Sequence, residues 1–317
     1  MQFRSNNFYE YKVVLQPDKD LPDWWAGAPS VTLSKDGTFY LAARMRHSES
    51  PRGRRGYEIR ILSSGDGITF DKIKSIHRDE VSIHGFERPS ILQDPRTRKF
   101  KLYGCGELKD GNEWGIWKLE DVDNPGDFDP GTFEVVLRPK VPEKEFGGAA
   151  KHHATSRTQY KDPFIIWLKD EWHMFVIGFD RVERPYHFKS KDGLDWLPVS
   201  ENPILDSTGW HNFFTRPACL LPLKVGYLLV YEGSNITWRD PGYNIATGLS
   251  YSLDLKNFID LTPNEPFLRS TTPGDYHTWR YSHWLPVKDE IFVYFEASRP
   301  NNSNETRLSI LGKKEQI

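Results

Sequence analysis

A short strand that opens with a proline recurs along the chain, and this repeat limits the fold more than any other feature of the sequence. Four copies lie at residues 27–31, 87–91, 161–165 and 215–219. A fifth copy at residues 281–285 lacks the proline and follows at a similar interval. After each copy come a turn and a second apolar strand. The five copies predict five modules of one design.

Repeats of about 40 to 70 residues with three or four strands each are typical of a β-propeller. No window shows the sustained apolar spacing of a helix, so helix is a minor component. We therefore predict an all-β fold, a five-bladed β-propeller with a central funnel, as a single domain over residues 1–317. A plain β-sandwich is the alternative. The predicted blades cover residues 21–75, 82–140, 155–200, 210–262 and 276–312, and residues 8–15 form a spare strand expected to close the ring against the last blade.

The charge balance and the cysteine content exclude several classes of protein. The 42 lysines and arginines against 44 aspartates and glutamates give a net charge of −2, which argues against binding nucleic acid or anionic membrane through bulk charge. No apolar stretch is long enough to span a membrane, and no secretory signal is visible, so we expect a cytoplasmic protein. Cys105 and Cys219 form no metal motif or disulfide framework. We expect no metal and no cofactor.

The repeat also predicts which side chains meet at one mouth of the funnel. In a propeller blade the first strand lines the channel and the second runs antiparallel to it, so the start of one and the end of the other share a rim. The starts of the first strands supply Glu87, Arg88, Lys161, Asp162, Arg216, Arg280, Tyr281 and His283. The ends of the second strands supply Arg44, Arg46, His47, Glu107, Asp180, Glu232 and Glu296. Solvated charges that merely flank strands are the alternative explanation for each residue alone.

Crowded carboxylates and arginines suit the cleavage of a sugar linkage. Carboxylates at one mouth raise one another's pKa, and neighbouring arginines keep others ionised, so that one pocket can hold both an acid and a base. Glycoside cleavage needs such a pair. Trp279 is one of several tryptophans in loops near the predicted rim, where flat rings suit the faces of sugars. Packing in the core is the alternative for Trp279.

The repeat and its motifs resemble the five-bladed propellers of glycoside-cleaving enzymes, namely the arabinanase/β-xylosidase and invertase-type clan and the β-mannoside phosphorylase family. Residues 226–233 resemble a strand of the phosphorylase family, residues 160–162 resemble its His-Lys-Asp, and residues 86–89 resemble its Glu-Asp-Pro-Arg. Two departures stand out. The phosphorylases place a catalytic Asp where this chain has Arg88, and the arabinanase clan has an Asp where this chain has Ala28.

Because of these departures, the catalytic carboxylates must be distributed differently here, and we predict Glu232, Asp162 and Glu87. Glu232 is the general acid, and Asp162, which matches a catalytic or pKa-tuning Asp of the arabinanase clan, is the base or tunes it. Glu87 is the reserve candidate. The remaining predicted substrate-binding residues are Arg44, His47, Arg88, Glu107, Lys161, Asp180, Arg216, Trp279, Arg280, His283 and Glu296.

The resemblance implies a carbohydrate-active enzyme that hydrolyses a glycosidic bond in an oligosaccharide or glycoside. The surplus of arginines favours an acidic substrate or phosphorolysis with inorganic phosphate held at the rim, because Arg offers a bidentate fork to oxyanions. Arginine–carboxylate pairs that hold the funnel together are the structural alternative. A non-catalytic sugar-binding propeller and an interaction platform are the alternatives of another class.

Overall fold

The computed structural model describes residues 8–51, 54–111, 113–139 and 158–312, and this part of the chain is all-β, as predicted. The strands are β1 (Lys12–Leu15), β2 (Trp25–Leu33), β3 (Phe39–Arg46), β4 (Gly56–Ser64), β5 (Asp71–His77), β6 (Ile83–Phe86), β7 (Ser90–Gln93), β8 (Phe100–Leu108), β9 (Trp114–Lys118), β10 (Glu134–Leu137), β11 (Gln159–Leu168), β12 (Glu171–Asp180), β13 (Val182–Ser190), β14 (Leu197–Pro198), β15 (Phe214–Pro222), β16 (Tyr227–Ser234), β17 (Ala246–Ser252), β18 (Ile259–Asp260), β19 (Trp279–Val287), β20 (Glu290–Ser298) and β21 (Asn304–Leu311). Short 3-10 turns lie at Arg78–Glu80, Pro125–Asp127, Pro130–Thr132 and Gly209–His211. In the described ranges, no helix is long and apolar enough to cross a membrane.

The strands form four sheets of antiparallel neighbours. Strands β11 to β14 make one four-stranded sheet, β15 to β18 make another, and β6 to β10 make a sheet of five strands. The eight-stranded sheet contains β1 and two runs of strands, β2 to β5 and β19 to β21. The two runs are linked by one parallel pair, Trp25 with Asn304. Counting the two runs as separate blades gives the predicted five, and that count stays a prediction. The predicted boundary between the second and third blades, at residues 140 and 155, lies outside the described residues.

The spare strand lies against the last strand of the chain, as the sequence indicates. Strand β1 pairs antiparallel with β21, and Lys12 stands opposite Leu308. Just before β1, the Phe8 ring packs against Trp279 and Trp284, and all three side chains are buried in the largest hydrophobic cluster. Burial of these aromatic rings holds the first described residues to the last module.

Three of the first strands share a backbone feature that the sequence does not reveal. Ala28 in β2, Asp162 in β11 and Tyr281 in β19 all have a positive φ, of 51°, 53° and 52°. Each lies where the register between the first and second strand shifts, which is a β-bulge. Non-glycine residues adopt this left-handed conformation only at a cost, and such strain concentrates at functional sites. In these three modules, the bulge therefore changes the direction of one residue relative to the rest of its strand.

Candidate active site

A cavity of about 460 Å³ opens among the starts of the first strands, and its lining is rich in charge. The charged residues of the lining are Arg46, Glu87, Lys161, Asp162, Arg181, Glu183, Arg216 and Arg280. Five of these are cations and three are carboxylates, so the lining has a net positive charge at neutral pH. Trp114, Phe179, Phe214, Tyr243 and Tyr281 add aromatic surface. The cavity thus joins charged groups to flat rings, as the sequence predicts for the rim.

Tyr281 joins two of the three predicted catalytic carboxyls. Its hydroxyl donates a hydrogen bond to Oδ2 of Asp162 at 3.0 Å. Its backbone N–H donates to Oε1 of Glu232. The side chains of all three are buried, and Tyr281 and Asp162 line the cavity. The bulge in β19 is the cause of this arrangement, because it turns Tyr281 toward β11 and its N–H toward β16.

Asp162 is held in place by groups from two other modules, the second and the last. Its Oδ1 accepts a hydrogen bond from the backbone N–H of Arg88 at 3.1 Å, in addition to the Tyr281 contact on Oδ2. Its own N–H donates to Sγ of Cys105 at 3.0 Å. The buried Cys105 thiol therefore supports the left-handed conformation of Asp162, a role that the sequence does not suggest for it.

Glu232 has the properties of a proton donor but is buried. Burial raises its pKa to about 7, even though the charges of Arg88, Arg216 and Arg280 oppose that rise. Its Oε2 is buried and has no hydrogen-bond partner among the described residues. Glu232 does not line the cavity, whereas Tyr281, whose N–H donates to Oε1 of Glu232, does.

Glu296 forms the centre of a cluster of buried ion pairs. Its Oε1 accepts from Nε and Nη2 of Arg280, at 3.1 and 2.8 Å, and from Asn304 at 2.6 Å. Its Oε2 accepts from the N–H of Ala28 at 2.8 Å and lies 3.4 Å from Nη2 of Arg44. Burial alone would raise the pKa of Glu296, but Arg280 and Arg44 lower it to about 2. Glu296 is thus a structural anion and not a free substrate contact.

Arg44 extends the Glu296 cluster to the cavity wall. It is fully buried and also pairs with Glu87, which lines the cavity. Glu87, the reserve catalytic candidate, is therefore tied to a cation that is already shared with Glu296. The predicted anion-binding role of Arg44 does not fit this placement, because both of its partners are carboxylates of the protein.

A second ion-pair cluster comes from a residue that sequence reasoning missed. Glu183, at the start of β13, accepts from Nζ of Lys161 at 3.3 Å and from Nε of Arg216. Burial by itself would raise its pKa, but the charges of Arg216 and Lys161 lower it to about 2. The ammonium group of Lys161 also lies 4.5 Å from the ring centre of Trp114. Glu183 follows a third-strand start, which the two-strand rim rule does not cover.

Arg88 and His283 were predicted to bind substrate, but they lie outside the lining of the cavity. Nη1 of Arg88 donates to the carbonyl of Ala218 at 2.6 Å, while its Nε and Nη2 have no partner in the described part of the chain. Nδ1 of His283 accepts from the N–H of Val31 at 3.2 Å. Burial and the charge of Arg88 lower the pKa of His283 to about 3, so the imidazole is neutral. Neither residue lines the cavity, so neither is placed to hold an anion there.

Four predicted rim residues lie away from the cavity lining. Trp279 stacks on Phe295 at 4.1 Å inside the core, so the core-packing alternative describes it and the sugar-stacking role does not. Glu107 makes two hydrogen bonds of 2.8 Å to Arg54. The ring of His47 packs against Trp24 and Tyr57, and Asp180 is half-buried at the end of β12.

Arg46, at the end of β3, differs from the other buried cations of the cavity. Its guanidinium lies 3.8 Å from the ring centre of Trp25, and its Nη2 donates to the hydroxyl of Tyr243 at 3.2 Å. Burial and the nearby charges of Arg44 and Arg280 lower its pKa to about 9, which leaves it charged at pH 7. Among the described residues, no carboxylate forms an ion pair with it.

The residues that the structure describes hold no group of three or more His, Cys, Asp or Glu side chains arranged to bind a metal ion. Both cysteines are free and buried, as expected of small apolar side chains.

The fold is that of the β-propeller glycoside hydrolases and phosphorylases, which many solved structures share with this chain. A structure from the GH130 family of mannoside phosphorylases, described as containing glycoside hydrolases that target β-1,2-mannosidic linkages in Candida mannan, is 16% identical with a TM-score of 0.66, covering 97% of this chain and 95% of its own. A glycosyl hydrolase from Bacteroides ovatus is 15% identical with a TM-score of 0.68 over 99% and 96% of the two chains. An α-L-arabinofuranosidase from Podospora anserina in complex with cellotriose is 13% identical with a TM-score of 0.64 over 96% and 97%. By sequence, neither a protein family nor a curated protein matches the chain.

Proposed function

We propose that this protein is a carbohydrate-active enzyme that hydrolyses a glycosidic bond in the cavity, with Asp162 and Glu232 as its acid–base pair. The fold is shared with glycoside hydrolases and phosphorylases, and the cavity lies where the first strands begin. Fold does not determine function, so the proposal depends on the site itself. We also propose that the two runs of the eight-stranded sheet act as separate blades, and that the protein works in the cytoplasm.

The observation that carries the proposal is the contrast between these two carboxyls and the other predicted glutamates. Glu87, Glu107 and Glu296 are each in an ion pair with an arginine. In the described part of the chain, Asp162 and Glu232 take part in none, and both are buried and bonded to Tyr281. A buried carboxyl without a counter-ion is costly, which favours a functional reason for its presence.

The two environments suit different roles in one reaction. Glu232 has a pKa of about 7, so much of it holds a proton at neutral pH and can give it to the leaving oxygen. Asp162 faces the cavity, where its carboxylate activates the attacking water. Because the N–H of Tyr281 donates to Oε1 of Glu232, proton transfer from Oε1 requires this N–H to release it when substrate binds. A mobile tyrosine next to the acid is thus part of the proposal.

Turnover assays on variants test this assignment. Wild type, Asp162→Asn and Glu232→Gln are compared on a panel of aryl glycosides and oligosaccharides, each with and without inorganic phosphate. Glu107→Gln is the matched control, because its carboxylate pairs with Arg54 away from the cavity. We expect wild type and the control to release sugar, and both site variants to lose at least about 100-fold in kcat/KM.

Other outcomes of the same assay assign the alternatives. Release that requires phosphate would replace hydrolysis by phosphorolysis, and the net positive lining of the cavity is what would favour it. Sugar binding without turnover, equal in wild type and in both site variants, would make the protein a non-catalytic sugar-binding propeller. Equal turnover in wild type and Glu232→Gln would remove Glu232 from the mechanism.

A further inference from the structure

Arg46 is a buried cation without a carboxylate partner in the part of the chain that the structure describes. It is 6% exposed and lines the cavity, and its Nε is buried without a hydrogen-bond partner among the described residues. The nearby charged groups are the guanidiniums of Arg44 and Arg280, which repel it. A buried charge without a counter-ion costs free energy, and a bound anion would offset that cost.

Four neighbouring cations do not need a bound anion, because each already pairs with a carboxylate of the protein. Arg280 gives two hydrogen bonds to Glu296, and Arg44 lies between Glu296 and Glu87. Arg216 and Lys161 share Glu183. Arg46 therefore differs from Arg44, Arg216 and Arg280, which pair with carboxylates of the protein. An arriving anion would therefore meet an uncompensated charge at Arg46.

The groups around Arg46 fit an oxyanion carried by a sugar. The Arg46 guanidinium lies 3.8 Å from the ring centre of Trp25, and the rings of Trp25 and Tyr243 are perpendicular to each other. The Tyr243 hydroxyl accepts a hydrogen bond from Nη2 of Arg46 and so orients the guanidinium. Tyr243 and Phe214 both line the cavity and offer flat surface to a sugar ring.

We propose that Arg46 and Tyr243 form a subsite that binds the carboxylate of an acidic sugar. The proposal deepens the proposed function, on which it rests, by naming the class of substrate: a glycoside or oligosaccharide that contains a uronic acid. Arg46 supplies charge and one hydrogen-bonding edge, Tyr243 orients the guanidinium through its hydroxyl, and the aromatic lining receives the sugar ring. Arg46 thereby selects acidic over neutral sugars.

Binding of simple sugars tests the subsite without requiring turnover. Isothermal titration or ligand-observed NMR is used to measure glucuronate, galacturonate, glucose, galactose and inorganic phosphate against wild type, Arg46→Gln, Arg46→Lys and Tyr243→Phe. Arg239→Gln is the matched charge control, because it removes an exposed arginine that is paired with Asp275 outside the cavity. Thermal unfolding of each variant checks that it is folded.

We expect wild type and Arg239→Gln to bind a uronate at least tenfold more tightly than the corresponding neutral sugar. Arg46→Gln should weaken uronate binding at least tenfold and leave neutral sugars unchanged, Arg46→Lys should restore part of the affinity, and Tyr243→Phe should lose about threefold. If Arg46→Gln does not fold, the Arg46→Lys and Tyr243→Phe values decide.

Three results would overturn the subsite. These are equal affinity of wild type for uronates and neutral sugars, equal uronate affinity in wild type and the Arg46 and Tyr243 variants, and binding of phosphate alone at Arg46. The last result would assign the charge to a free phosphate. If uronate binding depends on Arg46 but no glycoside is cleaved, the proposed function fails and the subsite stands. If cleavage depends on Asp162 but shows no preference for acidic substrates, the reverse holds.

Discussion

Two buried carboxyl groups of this protein differ in how completely the fold satisfies them. Both oxygens of Glu296 have partners: two arginines, an asparagine and a backbone N–H. Glu232 has one backbone N–H on Oε1 and nothing on Oε2 in the described ranges. Both residues end a second strand, so the repeat gives them equivalent positions. The two equivalent positions therefore differ: the carboxylate of Glu296 joins groups from several strands, whereas one oxygen of Glu232 has no hydrogen-bond partner among the described residues.

Removing Glu296 should have the largest effect. Glu296→Ala leaves Arg44 and Arg280 buried beside each other without their shared anion, so we expect a loss of about 3 to 5 kcal/mol in the free energy of unfolding. Urea unfolding followed by tryptophan fluorescence measures this loss. The control Asp275→Ala breaks an exposed pair with Arg239 and should cost less than about 1 kcal/mol. A loss as small as that of the control would show that the ion pairs of Glu296 with Arg44 and Arg280 do not stabilise the fold.

Glu232 should make stability depend on pH in the opposite sense to Glu296. Its pKa in the folded protein is raised from 4.5 to about 7, so the unfolded chain gives up this proton at lower pH than the folded protein. Its contribution is complete below pH 4.5 and declines as the pH rises to about 7, by up to about 3 kcal/mol at about 1.4 kcal/mol per pKa unit.

Urea unfolding at pH 5 and pH 8 measures this decline. In Glu232→Gln the neutral amide cannot ionise, so the difference in stability between the two pH values should shrink relative to wild type. An identical difference in both proteins would mean that Glu232 has an ordinary pKa and that the contrast with Glu296 lies elsewhere.

Asp162→Asn should separate activity from stability. Asparagine tolerates the left-handed backbone and keeps the size of the side chain, so the fold should be retained. We expect kcat to fall about 100-fold, because the amide cannot act as a base. Steady-state kinetics beside thermal unfolding gives both quantities. Full activity in a folded Asp162→Asn protein would assign the chemistry to another carboxylate, with Glu87 as the next candidate.

Tyr281→Phe should have the smallest effect of the four. It removes the hydrogen bond to Oδ2 of Asp162 and keeps both the ring and the backbone N–H to Glu232. We expect about a tenfold loss in kcat/KM and a loss of about 1 kcal/mol in stability. The pH profile of kcat/KM tells whether Tyr281 positions Asp162 or only packs beside it. Losing a hydrogen bond to an acid–base group shifts the apparent pKa values of the profile, whereas losing a packing contact does not. An unshifted profile with reduced stability would make Tyr281 a packing residue.

The sequence predicted the strands well because the repeat is a matter of spacing and apolar pattern. The first and second strands and the pairing of the spare strand could be read from residue types. The turn after Ser64 is an example of a local contact: the N–H of Gly67 donates to Oγ of Ser64 at 2.9 Å, and Gly193 and Ser190 make the same contact. Such local rules depend on neighbours in sequence.

The site was predicted only in part because its partners come from distant segments. No local pattern shows that Arg44 pairs with Glu296 while Arg46 does not, since Arg44 and Glu296 come from modules at opposite ends of the chain. The bulge residues with positive φ, Ala28, Asp162 and Tyr281, are not glycines, so their residue types do not indicate this conformation. Trp279 was placed at the rim because its loop was assigned there, but it begins β19 and packs inward.

The pairing of β1 with β21 has a consequence for how the protein is made. Lys12 and Leu308 meet in the finished sheet, yet nearly the whole chain separates them. A ribosome adds about 5 to 20 residues per second, so β1 waits roughly 15 to 60 s for its partner strand to emerge. During that time the buried Phe8 and the unpaired edge of β1 are exposed. Nascent molecules in this interval expose an apolar segment that the finished sheet covers, so chaperone binding should concentrate there.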